Sequence, residues 1–116
     1  MNFNPNLPEY CNMDDRVAVQ CLIKELLAAD CTVTINDGEE DCLEKSSDFT
    51  EILEAMSSTG EDVVIAFDKE GNDLGWFYLI YDNGSKGNPM ICISDLVANQ
   101  FCESIYNKVG AQLEVA

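Results

Sequence analysis

The stretch that decides the fold is VVIAFDKEGNDLGWFYLIY, residues 63–81. It holds two runs rich in β-branched and aromatic residues, 63–68 and 74–81, separated by a turn signal at 69–73. This pattern is typical of a β-hairpin. In the second run, apolar side chains fill both alternating sets, Trp76, Tyr78 and Ile80 in one and Phe77, Leu79 and Tyr81 in the other. We therefore expect this strand to be central in a sheet or covered on its second face.

Sequence patterns on both sides of the hairpin predict further helices and strands. Helices are predicted over residues 14–29, after an Asp48–Glu51 capping box, and from Ser94 or Asp95 onward. Further strands are predicted at residues 32–36, 42–45 and 90–93. The resulting order favours an α+β domain, an antiparallel meander of about five strands packed against about three helices. We expect residues 1–13 to be an extended N-terminal lead-in and residues 14–116 to form a single domain.

The composition is strongly acidic. The 116 residues include 22 Asp and Glu against 6 Lys and Arg, with no His, for a net charge of −16. An apolar fraction of 47% indicates that the chain folds despite this self-repulsion. Such a surface repels nucleic acid and anionic membranes and attracts basic surfaces. We therefore predict an acidic binding protein whose partner is a basic protein surface, with no direct nucleic-acid or membrane binding.

The carboxylates are concentrated between residues 37 and 62, where Lys45 is the one cation. Duplex DNA carries one charge per about 1.7 Å of its axis, so a protein that imitates it must display many carboxylates with few cations among them. The competing interpretation is a solvated helix face and an acidic turn that serve solubility. The predicted partner-binding residues are Asp37, Glu39, Glu40, Asp41, Glu44, Asp48, Glu51, Glu54, Glu61 and Asp62.

Catalytic signals are weak. Without His, the usual base at neutral pH and the ordinary partner of a cysteine nucleophile are both missing, and the chain holds neither a P-loop nor GxGxxG. We predict no enzyme activity and no catalytic residues. A small enzyme based on paired carboxylates remains an alternative.

Metal and cofactor signals are equally weak. The acidic loops at residues 37–41 and 68–73 depart from the EF-hand order of ligands, and the six cysteines form no CxxC pair. We expect no metal and no cofactor, with a small cation-binding protein as the alternative. Since no secretory signal or spanning segment is recognised, we predict a cytoplasmic protein with reduced, buried thiols.

The aromatic strand offers a second kind of site. Trp76 and Tyr78 are candidates for a homodimer interface, because aromatic anchors dominate the energetics of many interfaces. The alternative is that these side chains are ordinary core. On the first interpretation the protein is a homodimeric interaction or assembly module whose charge serves solubility.

Several segments together carry a resemblance: INDGEE at residues 35–40, residues 46–56, DKEGN at 68–72, GWFYLIY at 75–81, and ISD at 93–95 before Asn99. They resemble small uncharacterised acidic proteins of phages and mobile elements of proteobacteria. In charge and size the chain is similar to the DNA-mimicking anti-restriction and anti-CRISPR proteins. The resemblance to the phage proteins implies that context. By analogy of charge and size, we predict a phage-encoded inhibitor of a host defence or nucleic-acid-binding protein, acting in the host cytoplasm as an acidic nucleic-acid mimic without catalysis.

Overall fold

A computed structural model of the chain describes residues 13–37, 39–56, 61–80, 93–97 and 99–115. The predicted α+β class, with an antiparallel sheet and three helices, is confirmed. Of the predicted lead-in, only Met13 is among the described residues, and it is the first residue of α1. The elements are α1 (Met13–Ala28), β1 (Thr32–Asn36), β2 (Asp41–Ser46), α2 (Phe49–Ala55), β3 (Glu61–Phe67), β4 (Asp73–Ile80), β5 (Ile93–Leu96) and α3 (Gln100–Val115).

The strands form one sheet in the order β2-β1-β3-β4-β5, and each neighbouring pair is antiparallel. The prediction of a simple meander is wrong at one step, because β3 pairs with β1 and not with β2. β1 is buried at three successive positions, whereas β2 is buried only at Ser46. The more apolar strand therefore lies inside the sheet and the more polar one at its edge, with α2 connecting β2 to β3.

The three helices pack on one face of the sheet. Alternate residues of the strands point into this layer, where they form a single apolar cluster with side chains of the helices. The cluster includes Val33, Ile35, Val64, Ala66, Phe77 and Leu79 from the strands and Leu22, Leu26, Ile52, Leu53, Ile105 and Val109 from the helices. β4 pairs with both β3 and β5, so the strand predicted to be central lies inside the sheet. None of the helices in the described ranges is long and apolar enough to cross a membrane.

The second helix begins at the predicted cap. The side chain of Asp48 accepts a hydrogen bond from the Glu51 amide at 3.0 Å. The Asp48 amide donates to Ser46 Oγ at 3.1 Å, so the serine hydroxyl takes the place of the Glu51 side chain in the expected capping box. The cap ties the start of α2 to the end of β2. The predicted stop of this helix at Gly60 lies outside the described residues.

The third helix begins later than predicted. Ser94 and Asp95 lie in β5, and the helix is capped by Asn99. Asn99 Oδ1 accepts from the Cys102 amide at 2.8 Å, while its Nδ2 donates to the Leu74 carbonyl oxygen at 3.0 Å. The start of the helix was predicted too early because Asn99 is positioned by this hydrogen bond to β4. The two residues are 25 positions apart in the sequence, so the contact leaves no local signal. Of the strand predicted at 90–93, only Ile93 is described, and β5 begins there.

Candidate functional site

Most of the predicted partner-binding carboxylates lie on neighbouring elements at one edge of the sheet. They lie on the turn between β1 and β2, on the edge strand β2, and at the start and on the surface of α2, which packs against β2. All are exposed except Asp37, which is half-buried. We name these residues the acidic edge: Asp37, Glu39, Glu40, Asp41, Glu44, Asp48, Glu51 and Glu54.

The turn of the acidic edge is held by one of its own carboxylates. Asp37 Oδ1 accepts from the amides of Glu39 at 2.9 Å and Glu40 at 3.0 Å. The hydrogen bonds from the Glu40 and Glu39 amides lower the pKa of Asp37, because they stabilise its ionised form. Asp41 accepts from Asn36 Nδ2 at 3.0 Å. The side chains of Glu39 and Glu40 are exposed at the tip of this turn.

Two of the ten predicted site residues lie elsewhere. Asp62 is fully buried on the helix-covered face of β3, together with Val64 and Ala66. Its inclusion in a partner-binding surface is wrong, because the alternation of the strand turns it into the protein interior. Glu61 is half-buried on the opposite face, where it accepts a hydrogen bond from the hydroxyl of Tyr78.

Lys45, the one cation between residues 37 and 62, is turned toward an aromatic ring. Lys45 lies in β2 with a positive φ of 45°, at an irregular step in the pairing with β1. Its Nζ lies 4.8 Å from the centroid of the Phe67 ring, a cation–π distance. The ammonium group is thereby directed along the sheet toward β3.

The face of the sheet opposite the helices carries a second group of apolar side chains. Trp76 is paired directly with Ile65, and Tyr78 with Val63, across β3 and β4. These side chains are half-buried and do not belong to the core cluster. The predicted dimer-interface residues Trp76 and Tyr78 therefore lie together on a partly exposed surface. We name this surface the open face: Val63, Ile65, Phe67, Trp76, Tyr78 and Ile80.

The open face contains a shallow pocket of about 430 Å³. Two aromatic rings and two aliphatic side chains form most of its lining, and two carboxylates complete it. The lining residues are Trp76, Tyr78, Val63, Ile65, Glu61 and Asp73. An apolar site with a few convergent polar groups is the usual form of a binding site. Asp62 of β3 does not line the pocket, because its side chain is buried on the opposite, helix-covered face of the sheet.

The second acidic loop is organised by its own backbone. Asp68 accepts from the amides of Asn72 and Glu70, both at 2.9 Å, and from the side-chain amide of Asn72 at 3.1 Å. The bonds from Asn72 are the main cause of the lowered pKa of Asp68. The carboxylate thus has a structural role in the β3–β4 turn. Within the ranges that the structure describes, no three side chains of His, Cys, Asp or Glu are grouped to hold a metal ion.

Four of the six cysteines lie in the described ranges, and no disulfide joins any of these four to another. Cys21, Cys31 and Cys102 are buried, whereas Cys42 is exposed on the edge strand. Burial raises the pKa of the Cys21, Cys31 and Cys102 thiols, because the thiolate is poorly solvated in the interior. Cys42 departs from the expectation of buried thiols. Cys11 and Cys92 lie outside the described residues.

Sequence reasoning missed the pocket as a unit, although it identified Trp76 and Tyr78. It missed Val63, Ile65 and Asp73, and it assigned Glu61 to the partner-binding carboxylates and not to this pocket. A usable signal was present, because the alternation of the predicted hairpin places Val63 and Ile65 on the same face as Tyr78 and Trp76. The same alternation separates Glu61 from Asp62. Comparisons of the chain with protein-family models, curated proteins and solved structures found no match.

Proposed function

We propose that this protein is a non-catalytic inhibitor that uses its acidic edge to occupy a basic, nucleic-acid-binding surface of a partner protein. The observation that carries the proposal is the meeting of eight carboxylates on one turn, one edge strand and one helix packed together. An edge strand and a surface helix are accessible to another macromolecule. The phage origin and the host-defence target remain proposals that rest on the resemblance.

The density of charge supports imitation of a nucleic acid. β2 has six residues, which corresponds to a length of about 20 Å at 3.4 Å per residue. Duplex DNA of that length carries about twelve phosphate charges, distributed around its circumference. Asp41 and Glu44 lie on β2 itself, and the other six carboxylates lie on the turn that precedes it and on α2 and its cap, which pack against it, so the total is of the same order as the charge of such a duplex. Such a surface accelerates association with a basic protein and weakens with salt.

Capture of partners from a nuclease-treated bacterial lysate tests this proposal. The immobilised protein is loaded at low salt and eluted either with duplex DNA or with rising salt, and the eluted proteins are identified by mass spectrometry. We expect basic nucleic-acid-binding proteins that are released by DNA. The attraction should fall with salt, since the Debye length drops from about 10 Å at 0.1 M to about 3 Å at 1 M.

A matched pair of variants separates the acidic edge from net charge. Glu39→Lys with Glu40→Lys reverses two exposed charges at the tip of the edge, whereas Glu70→Lys with Glu103→Lys makes the same change on the β3–β4 turn and α3. The first pair should lose the captured partner and the second should keep it. Equal loss in both pairs would assign the binding to net charge, and retention in the first pair would move the site elsewhere. Circular dichroism establishes that each variant is folded.

A further inference from the structure

The pocket on the open face has the chemistry of a site for a cation that carries an apolar stem. Trp76 and Tyr78 supply aromatic rings, Val63 and Ile65 supply aliphatic surface, and the rim carries carboxylates. Aromatic faces attract cations within about 6 Å of the ring centroid. Long cationic side chains place their methylene groups on apolar surface and keep the charged end near polar groups.

The same face already shows this mode of contact. Lys45 Nζ lies over the ring of Phe67, which belongs to the same row of β3 as Val63 and Ile65. Within the open face, an aromatic ring in contact with an ammonium group is therefore an arrangement that the protein itself uses. The two rings of the pocket lie on the adjacent strand, β4, and its lining includes the carboxylates of Glu61 and Asp73.

The geometry points to an arginine side chain from a basic segment of a partner protein as the occupant of this pocket. A guanidinium group stacks on indole and phenol rings and donates several hydrogen bonds to carboxylates. Glu61 is held beside the Tyr78 ring by their hydrogen bond, and Asp73 lies on the same strand as both rings. The lining of the pocket shares no residue with the acidic edge, and the assignment concerns the pocket alone.

Charge disfavours a second copy of this chain as the occupant. Each copy carries −16, and a two-fold axis that passed through the pocket would bring Glu61 and Asp73 of both copies close together. Like charges that face each other across an interface oppose association. The same two carboxylates would attract a basic partner.

Trp76 provides a direct readout, because it is the one tryptophan in the sequence. The probe is a blocked pentapeptide with a central arginine between two leucines, and its control is the same peptide with uncharged citrulline at the centre. We expect the arginine peptide to change the emission of Trp76 in a saturable way. The citrulline peptide should bind about fivefold more weakly or worse, corresponding to the loss of one exposed cation–π contact and its ion pairs.

Charge-removing variants test the rim. Glu61→Gln with Asp73→Asn keeps the shape of the pocket and should weaken the arginine peptide by about threefold, less than the citrulline change, because the ion pairs are lost and the cation–π contact is kept. The control, Glu70→Gln with Glu103→Gln, removes the same charge at exposed positions outside both the pocket and the acidic edge and should leave the affinity unchanged. Each variant is first checked for an unchanged thermal transition.

Three results would overturn the assignment. One is equal binding of the arginine and citrulline peptides, and another is unchanged affinity in the variant at Glu61 and Asp73. The third is a homodimer of the free protein in sedimentation velocity that dissociates when Trp76→Ala is introduced, because the open face would then be covered by a second copy. None of these outcomes depends on the acidic edge, so failure here and failure of the proposed function are distinguishable.

Discussion

The hydroxyl of Tyr78 donates a hydrogen bond to the carboxylate of Glu61, on the neighbouring strand. Glu61 is paired with Ile80, so its contact with Tyr78 is a diagonal one on the same face of the sheet. The bond fixes a carboxylate at the side of an aromatic ring that lines the open-face pocket. The hydrogen bond therefore links one of the aromatic rings of the pocket to one of its carboxylates.

This bond predicts a perturbed titration of Tyr78. The hydrogen bond to Glu61 is the main cause of the raised pKa of Tyr78, with partial burial and the negative charge of Glu61 adding to it. Glu61→Gln should lower this pKa toward the ordinary value of about 10, because the negative charge beside the phenol is removed. Absorbance at 295 nm during an alkaline titration measures the change, and Tyr78→Phe identifies the transition. Identical titration curves for the wild type and Glu61→Gln would contradict the assignment.

The pH dependence of stability follows from the sign of this shift. A folded-state pKa above the unfolded value means that the contribution of Tyr78 is fully present below pH of about 10. It is lost as the pH rises through the folded-state pKa. The free energy of unfolding of Glu61→Gln should therefore fall less steeply with pH in this range than that of the wild type.

Of the glycines that the structure describes, Gly75 is predicted to be the most sensitive to substitution by alanine. Its φ is 140°, and an added Cβ would lie 2.4 Å from Cys102 Sγ and 2.6 Å from Val97 Cγ1. Gly75→Ala should lower the free energy of unfolding by about 2–5 kcal/mol, since overpacking and backbone strain each cost about 1–3 kcal/mol. Urea denaturation measures this difference.

Gly110 provides the matched control for this substitution. It lies inside α3, and an added Cβ would have no neighbour within 4 Å. Gly110→Ala should raise the free energy of unfolding by up to about 1 kcal/mol, because alanine is the better helix former. A tolerated Gly75→Ala would show that β4 and α3 are not packed as described.

The cap of α2 predicts a smaller effect. Asp48→Ala removes the acceptor of the Glu51 amide and should cost about 1 kcal/mol of stability. Asp48→Asn retains an oxygen at the same position and should be close to the wild type, and Ser47→Ala at the exposed neighbouring position serves as the control. Thermal denaturation compares the three variants. An equal loss in Asp48→Asn would assign the effect to charge and not to the cap.

The thiols of the four described cysteines should react with an alkylating reagent at different rates. Cys42 is exposed, whereas Cys21, Cys31 and Cys102 are buried and have raised pKa values. Because the thiolate is the reactive form, iodoacetamide should modify Cys42 well before the three buried cysteines in the native protein. Peptide mapping by mass spectrometry identifies each site, and the same reaction in urea should remove the difference. Early modification of Cys102 in the native protein would contradict the packing of α3 on β4.

The local features of the fold could be predicted from the sequence. The alternation of β-branched residues placed β1 at residues 32–36, and the Asp48 signal placed the start of α2. The cap of α3 could not be predicted in the same way. Asn99 is held by a hydrogen bond to Leu74, and no pattern close to Asn99 records that contact.

The site was predicted only in part, for a related reason. A count of carboxylates along the chain identified the acidic edge, but it ignored the two-residue period that turns Asp62 into the core. The count also included Glu61, which the same alternation places on the open face, where it accepts a hydrogen bond from Tyr78. The number of carboxylates in a segment can be counted from the sequence. The face of the sheet on which each one lies depends on the alternation and pairing of the strands.

Displacement of DNA from a captured partner tests the central claim most directly. A fluorescently labelled duplex is bound to the partner, and its anisotropy is followed as wild-type protein or a variant is added. The wild type should release the duplex completely, and Glu39→Lys with Glu40→Lys should require at least about tenfold more protein, since each reversal replaces an attraction with a repulsion. Glu70→Lys with Glu103→Lys should behave like the wild type. A partner that holds the protein and the duplex at the same time, with unchanged anisotropy, would contradict the claim that the acidic edge occupies a nucleic-acid-binding surface.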